Sequence, residues 1–199
     1  MDWLTLHDFI HRFDIPGAVI LLEGKRNVAE ADAPQLEALG RMLATRMQHA
    51  IFRSGNAAGA DALFAAGVAA VNPARLEVIL PFKGHRSKYN LAGTSHALDE
   101  LNIAAEPQVI YESKLHKGTA GLVERYLDGV NNPYTIKATY ILRDTVKVLG
   151  TAGIPPAFCA IFYDDLSNPR QGGTGHTIAV CERNGIPFCD QRVWLPWML

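Results

Sequence analysis

Short blocks of consecutive apolar residues alternate along this chain with longer segments whose apolar positions recur every three or four residues. Ala18-Val19-Ile20-Leu21-Leu22, Leu76-Glu77-Val78-Ile79-Leu80-Pro81 and Ala157-Phe158-Cys159-Ala160-Ile161-Phe162-Tyr163 belong to the first kind, and Ala50-Ile51-Phe52-Arg53 is a shorter example. Runs of this length bounded by turn residues read as strands buried on both faces. The periodic segments read as helices. One covers residues 1–14, with Trp3, Leu4, Phe9, Ile10 and Phe13 apolar and Pro16-Gly17 as its stop. Another runs from about Pro34 to Gln48, with proline inside its first turn and Leu36, Leu39, Leu43 and Met47 on one face. Further helices are expected at Ala60–Ala70, 94–105, 118–130, Thr135–Leu149 and Ile178–Asn184. A strand is expected at Gln108-Val109-Ile110-Tyr111, and a last one begins at Pro187-Phe188-Cys189-Asp190.

Strand and helix alternate throughout, which predicts an α/β fold: a Rossmann-like parallel sheet with helices on both faces. No repeat or linker interrupts residues 1–199, so one domain is expected, with 112–140 as a candidate insertion or lid. In such sheets ligands lie outside the carboxyl ends of the strands, where the strand order reverses. The loops that begin at Glu23, Ser54, Pro81 and Asp164 should therefore converge on one crevice.

Composition narrows the function classes. The chain is 48% hydrophobic and 20% charged with a net charge of −1, so extended wrapping of a polyanion is disfavoured, although a local basic face remains open. No apolar run approaches the ~18–20 residues of a membrane span. Met1-Asp2-Trp3 shows no basic leader, and a cytoplasmic location is expected. Cys159, Cys181 and Cys189 lack metal-ligand spacing and read as core residues without cysteine chemistry. The apolar end, Trp194 to Leu199, either packs back on the domain or contacts another copy, and a homo-oligomer is expected.

Two glycine-rich turns carry the candidate chemistry. Arg53-Ser54-Gly55-Asn56-Ala57-Ala58-Gly59-Ala60-Asp61 follows a strand and opens a helix, and Gln171-Gly172-Gly173-Thr174-Gly175-His176-Thr177 does the same later. Glycine lets backbone approach a ligand, and the helix N-terminus behind it offers unpaired N–H groups and partial positive charge. The plain alternative is a pair of tight βα turns with no ligand. Lys25 and Arg26, after the first strand, are placed to neutralise a phosphate or to stand solvated. Asp61 is placed to hold the loop amides or to bond a ribose. His176 is placed at a helix start, where its imidazole would stay neutral, as a ligand donor or a packing residue. Asp164 and Asp165 read as turn formers or acid–base groups, and no third carboxylate completes a metal site. No cofactor is implied.

The ordered set of Gly24-Lys25-Arg26, then Ser54-Gly55-Asn56-Ala57-Ala58-Gly59-Ala60-Asp61, then Ile79-Leu80-Pro81-Phe82, then Gly172-Gly173-Thr174-Gly175-His176-Thr177 resembles the Smf/DprA–LOG (SLOG) superfamily over residues 18–86 and 157–191. The resemblance implies a Rossmann-like fold and a nucleotide or nucleotide-derived ligand. Gly24, Lys25, Arg26, Ser54, Gly55, Asn56, Gly59, Asp61 and Gly172 through Thr177 are its expected contacts. It also implies two alternatives. One is N-glycosidase or phosphoribohydrolase activity, with Asp164, Asp165 or Glu182 as the acid, although Ala179 stands where that branch carries its glutamate. The other is a DprA-type single-stranded DNA module using Lys83, His85, Arg86 and Lys88.

Overall fold

Six parallel strands form the sheet in this computed structural model, which describes residues 5–130 and 132–198. In chain order they are β1 (Val19–Gly24), β2 (Ile51–Ser54), β3 (Leu76–Leu80), β4 (Thr94–Ala97), β5 (Cys159–Tyr163) and β6 (Phe188–Cys189), arranged β4-β3-β2-β1-β5-β6. Leu21 pairs with Arg53 on one side and Ala160 on the other, so β1 is central. Every residue of β3 and β5 is buried, as their mostly apolar runs predict; Glu77 within β3 is buried in an ion pair with Arg53 of β2 at 2.8 Å. The architecture is α/β and Rossmann-like.

The helices are α1 (Leu6–Phe13), α2 (Ala33–Arg46), α3 (Ala60–Ala69), α4 (Pro107–Lys114), α5 (Ala120–Leu127), α6 (Thr135–Leu149), α7 (Gly172–Arg183) and the short α8 (Gln191–Trp194). Side chains alternate across β1. Ile20 and Leu22 join Leu36, Leu39 and Leu43 of α2 and Phe64 and Val68 of α3 on one face. Leu21 points to the other, with Val148 of α6 and Ile178 and Cys181 of α7. α4, α5 and α6 pack on that side through Val109, Val123, Leu142 and Val146 against Ile79. A fully buried Leu or Phe of this kind contributes roughly 1.5–3 kcal/mol.

Three expectations are corrected. The segment Gln108–Tyr111 is helix, not strand: Pro107 occupies the first turn of α4, and Val109, Glu112 and Ser113 are buried at helical spacing. Residues 94–105 are the edge strand β4 followed by two 3₁₀ turns rather than a helix. Two of the four β4 residues are exposed, so no apolar run marked it. The helix expected from Ile178 begins six residues earlier, at Gly172.

The described part of the C-terminus packs back on the fold. Trp194 is fully buried and its indole N–H donates to the Phe162 carbonyl at 2.9 Å, while Trp197 packs against Phe9 with ring centres 5.0 Å apart and planes tilted by 42°. Trp3, Leu4 and Leu199 lie outside the described residues.

Candidate functional site

The strand order reverses between β1 and β5, and a crevice opens there onto the loops after β1, β2 and β5, whereas the loop that begins at Pro81 lines other cavities. A cavity of about 300 Å³ is lined by the end of β1 and its loop (Glu23, Gly24, Lys25, Arg26), by Asp61, by α6, and by the first turn of α7. Gly24 lies on the wall because β5 runs close beside it: a Cβ there would meet the Tyr163 carbonyl at 2.4 Å.

The first glycine turn wraps a carboxylate. Asp61 accepts N–H bonds from Gly24 at 3.2 Å, Gly55 at 3.1 Å and Ala57 at 3.4 Å. It sits in the first turn of α3, where a negative charge also suits the helix dipole. Gly59 enters α3 with φ +83°, and a side chain there would meet the Arg26 carbonyl at 2.1 Å. The glycines of this turn thus let the β1 loop lie directly on α3. Asn56 donates to the carbonyls of His85 and Arg86, which fixes the loop after β3.

The second turn has no such wrapping, and the carboxylate nearest it is that of Asp144: a Cβ on Gly173 would meet Asp144 Oδ2 at 2.9 Å. Gln171 supplies no side-chain cap to α7, and the first helical bond runs from Gly175 N–H to the Gln171 carbonyl at 3.1 Å. The N–H groups of Gly172, Gly173 and Thr174, which all line the cavity, are the orphans of that helix end. Lys25, Arg26 and Lys137 surround them. Lys25 lies 3.6 Å from Asp165, whereas Arg26 and Lys137 make no ion pair among the described residues.

Beneath the cavity is a buried charge network. Lys147, with no exposed side-chain surface, places Nζ 2.7 Å from Glu23 Oε2 and 2.9 Å from Asp144 Oδ1. Arg143 donates to the same Asp144 oxygen from Nε and Nη2, and from Nη1 to the Gly55 carbonyl. Glu23 Oε1 accepts from the Thr177 hydroxyl at 3.0 Å. Burial pushes Glu23 up to about 8, even against Lys147. Burial would raise Asp144 as well, but Arg143 and Lys147 together outweigh it and hold this carboxyl well below its usual range. Two carboxylates share one ammonium, and only Asp144 has a guanidinium besides. Ionisation therefore stays with Asp144.

Of the residues expected at a site, Gly24, Lys25, Arg26, Asp61, Gly172, Gly173 and Thr174 line this one cavity. Ser54, Gly55, Asn56 and Gly59 lie behind it. Gly175 and His176 face a separate cavity across the α7 helix. His176 Nε2 is 2.9 Å from the Thr145 hydroxyl, and burial pushes its pKa down to about 4. Thr177 is buried under Glu23. The three proposed acids are drawn into other work. Asp164 accepts the Asp165 and Arg170 N–H groups, Asp165 closes a turn on Ser167, and Glu182 pairs with Arg170. In the loop after β3, Lys83 is paired with Glu100. Burial and the nearby Arg143, Arg86 and Arg26 push His85 to about 4.

Sequence reasoning missed Glu23, Arg143, Asp144 and Lys147 as site residues. The signal lay in α6. Arg143, Asp144 and Lys147 sit among Ile141, Leu142, Val146 and Val148 in its buried half, and ionised groups in a buried segment must be paired. Among the described residues no group of three or more metal-ligating side chains is present, and the three cysteines are free and buried. No described helix is long and apolar enough to cross a membrane.

No family model and no curated protein matches this chain. Among solved structures it is similar to DNA processing protein A from Helicobacter pylori, described for its single-stranded DNA binding mode. The TM-score is 0.49 and the identity 12%, over 90% of this chain and 67% of that one.

Proposed function

We propose that the crevice between β1 and β5 binds a nucleotide or nucleotide-derived ligand through its phosphate. The observation that carries this reading is the uncapped first turn of α7 opening into a 300 Å³ cavity beside two cations, Arg26 and Lys137, that have no carboxylate partner among the described residues. Arg26 offers a planar fork for phosphate oxygens and Lys137 a point charge. Asp61 holds the β1 and β2 loops as a rigid wall. The order of motifs that resembles the SLOG superfamily agrees with this assignment.

Titration with nucleoside monophosphates followed by thermal unfolding tests it. Ligand at 100 times its dissociation constant adds about 2.7 kcal/mol, which for a chain of this size raises Tm by about 5–10 °C. The double variant Arg26→Ala/Lys137→Ala should lose that shift while keeping the unliganded Tm. Absence of any shift from every nucleotide, or its persistence in the double variant, contradicts the reading.

One observation favours turnover as a second reading. Glu23 and Asp144 both line the cavity, with proton affinities driven apart, which is the condition for one acid and one base in a shared site. Release of free base from a nucleoside monophosphate, lost in Asp144→Asn with binding retained, would support N-glycosidic cleavage. No release by the unsubstituted protein leaves recognition alone.

A further inference from the structure

We propose that the crevice continues over Gly172 into a second anion subsite, so that the ligand class is a nucleotide carrying two phosphoryl groups. This extends the nucleotide-binding reading and rests on it. On the far side of the Gln171–Gly172 segment lies a second cavity, of about 230 Å³, between the α4–α5 turn and α7. Its lining includes His116, Lys117, Arg170, His176 and Arg183, and no acidic side chain. The two cavities share Gln171 and Gly172. Gly172 has φ +60° and open space where a side chain would stand, so at this residue the ridge between them is bare backbone.

The cations of the second cavity come from separate elements, and its two arginines are held in place. Arg170 is clamped by Glu182 through Nη1 and Nη2, which leaves its Nε–H unused. Arg183 is clamped by the buried Glu112 through Nε and Nη2, which leaves Nη1. Both carboxylates orient a guanidinium without entering the lining. Lys117 is exposed and makes no ion pair among the described residues. Lys137 belongs to the first cavity, yet it lies close enough to His116 in the second to help burial hold that imidazole below its usual pKa. Arg26, Lys137, Lys117 and Arg170 thus continue from one side of Gly172 to the other. A single phosphoryl group uses half of this row. A second one, joined directly to the first or carried across the sugar, would use the rest.

Isothermal titration at fixed salt with AMP, ADP and adenosine 3′,5′-bisphosphate tests the inference, using the unsubstituted chain, Lys117→Ala and Arg170→Ala. At least one doubly phosphorylated probe should bind about tenfold tighter than AMP. Each substitution should remove about tenfold from that probe and leave AMP unchanged. Which of the two wins shows whether the phosphoryl groups are contiguous or separated. If AMP binds and both other probes bind no tighter, or if the advantage survives both substitutions, the second subsite is wrong and the first stands. If none of the three binds and no other nucleoside mono- or diphosphate shifts the thermal unfolding, the nucleotide reading falls and this inference falls with it. Because Lys117 is exposed in a turn, Lys117→Ala should melt with the unsubstituted protein.

Discussion

Lys147→Met removes the ammonium that two buried carboxylates share. Methionine fills nearly the same volume, so the packing against Glu23 and Asp144 is kept while the charge is lost. Lys147 Nζ lies 2.7 Å from Glu23 Oε2 and 2.9 Å from Asp144 Oδ1, and its side chain has no exposed surface. Asp144 keeps Arg143 as its partner and Glu23 stays protonated, so the loss is that of buried oxygens left without a donor, about 1–3 kcal/mol. For a chain of 199 residues that is a Tm loss of about 2–12 °C. Adding Glu23→Gln should recover part of it, with a coupling of about 1–3 kcal/mol in the double-mutant cycle.

The pH dependence gives a finer check. Glu23 has a folded-state pKa raised to about 8 from an ordinary 4.5. A raised pKa means that the folded chain binds the proton more tightly, so this group's contribution is full below about 4.5 and falls away as pH rises toward 8. Without Lys147 the carboxyl stays protonated to still higher pH. The gap between the two proteins should therefore be flat below about pH 8 and widen above it. Urea unfolding at pH 6, 7.5 and 9 measures this. Equal stabilities within about 1 kcal/mol at pH 7.5 would show that the network is not an energetic unit.

Other substitutions probe separate parts of the account. Asp61→Ala frees three backbone N–H groups, and with charge-assisted bonds worth about 1.5–3 kcal/mol each and not additive, a loss of about 3 kcal/mol in urea unfolding is expected, with Asp61→Asn keeping part of it. Gly59→Ala forces an L residue to φ +83° against the Arg26 carbonyl; beyond the ~1–3 kcal/mol of backbone strain, it should displace the β1 loop and weaken nucleotide binding. His176 has a folded-state pKa depressed to about 4 from an ordinary 6.5. Its contribution is present above 6.5 and is lost as pH falls toward 4, at up to ~1.4 kcal/mol per pH unit. His176→Gln should flatten the stability profile between pH 6.5 and 5, and an unchanged slope would refute the assignment.

The layering was legible because β1, β3 and β5 are mostly apolar runs and α2 and α6 keep helical spacing. β4 escaped because an edge strand need not be apolar. Val109-Ile110-Tyr111 reads locally as strand, but Pro107 and the burial of Glu112 and Ser113 beside α6 settle it as helix. The two glycine turns look alike in sequence, yet one closes on Asp61 and the other stays open. That difference depends on a carboxylate reaching back to loops 6 and 37 residues away. The buried network was hidden for the same reason: Glu23 and Lys147 meet only through the pairing of β1 with the face that α6 covers.

Amide chemical shifts in an ¹⁵N-labelled sample titrated with a nucleoside monophosphate test the central claim most directly. The account predicts that the Gly172, Gly173 and Thr174 amides move first and farthest, with Gly55 and Ala57, already bonded to Asp61, changing little. Shifts that leave the first turn of α7 untouched, or that centre on the loop after β3, would contradict it.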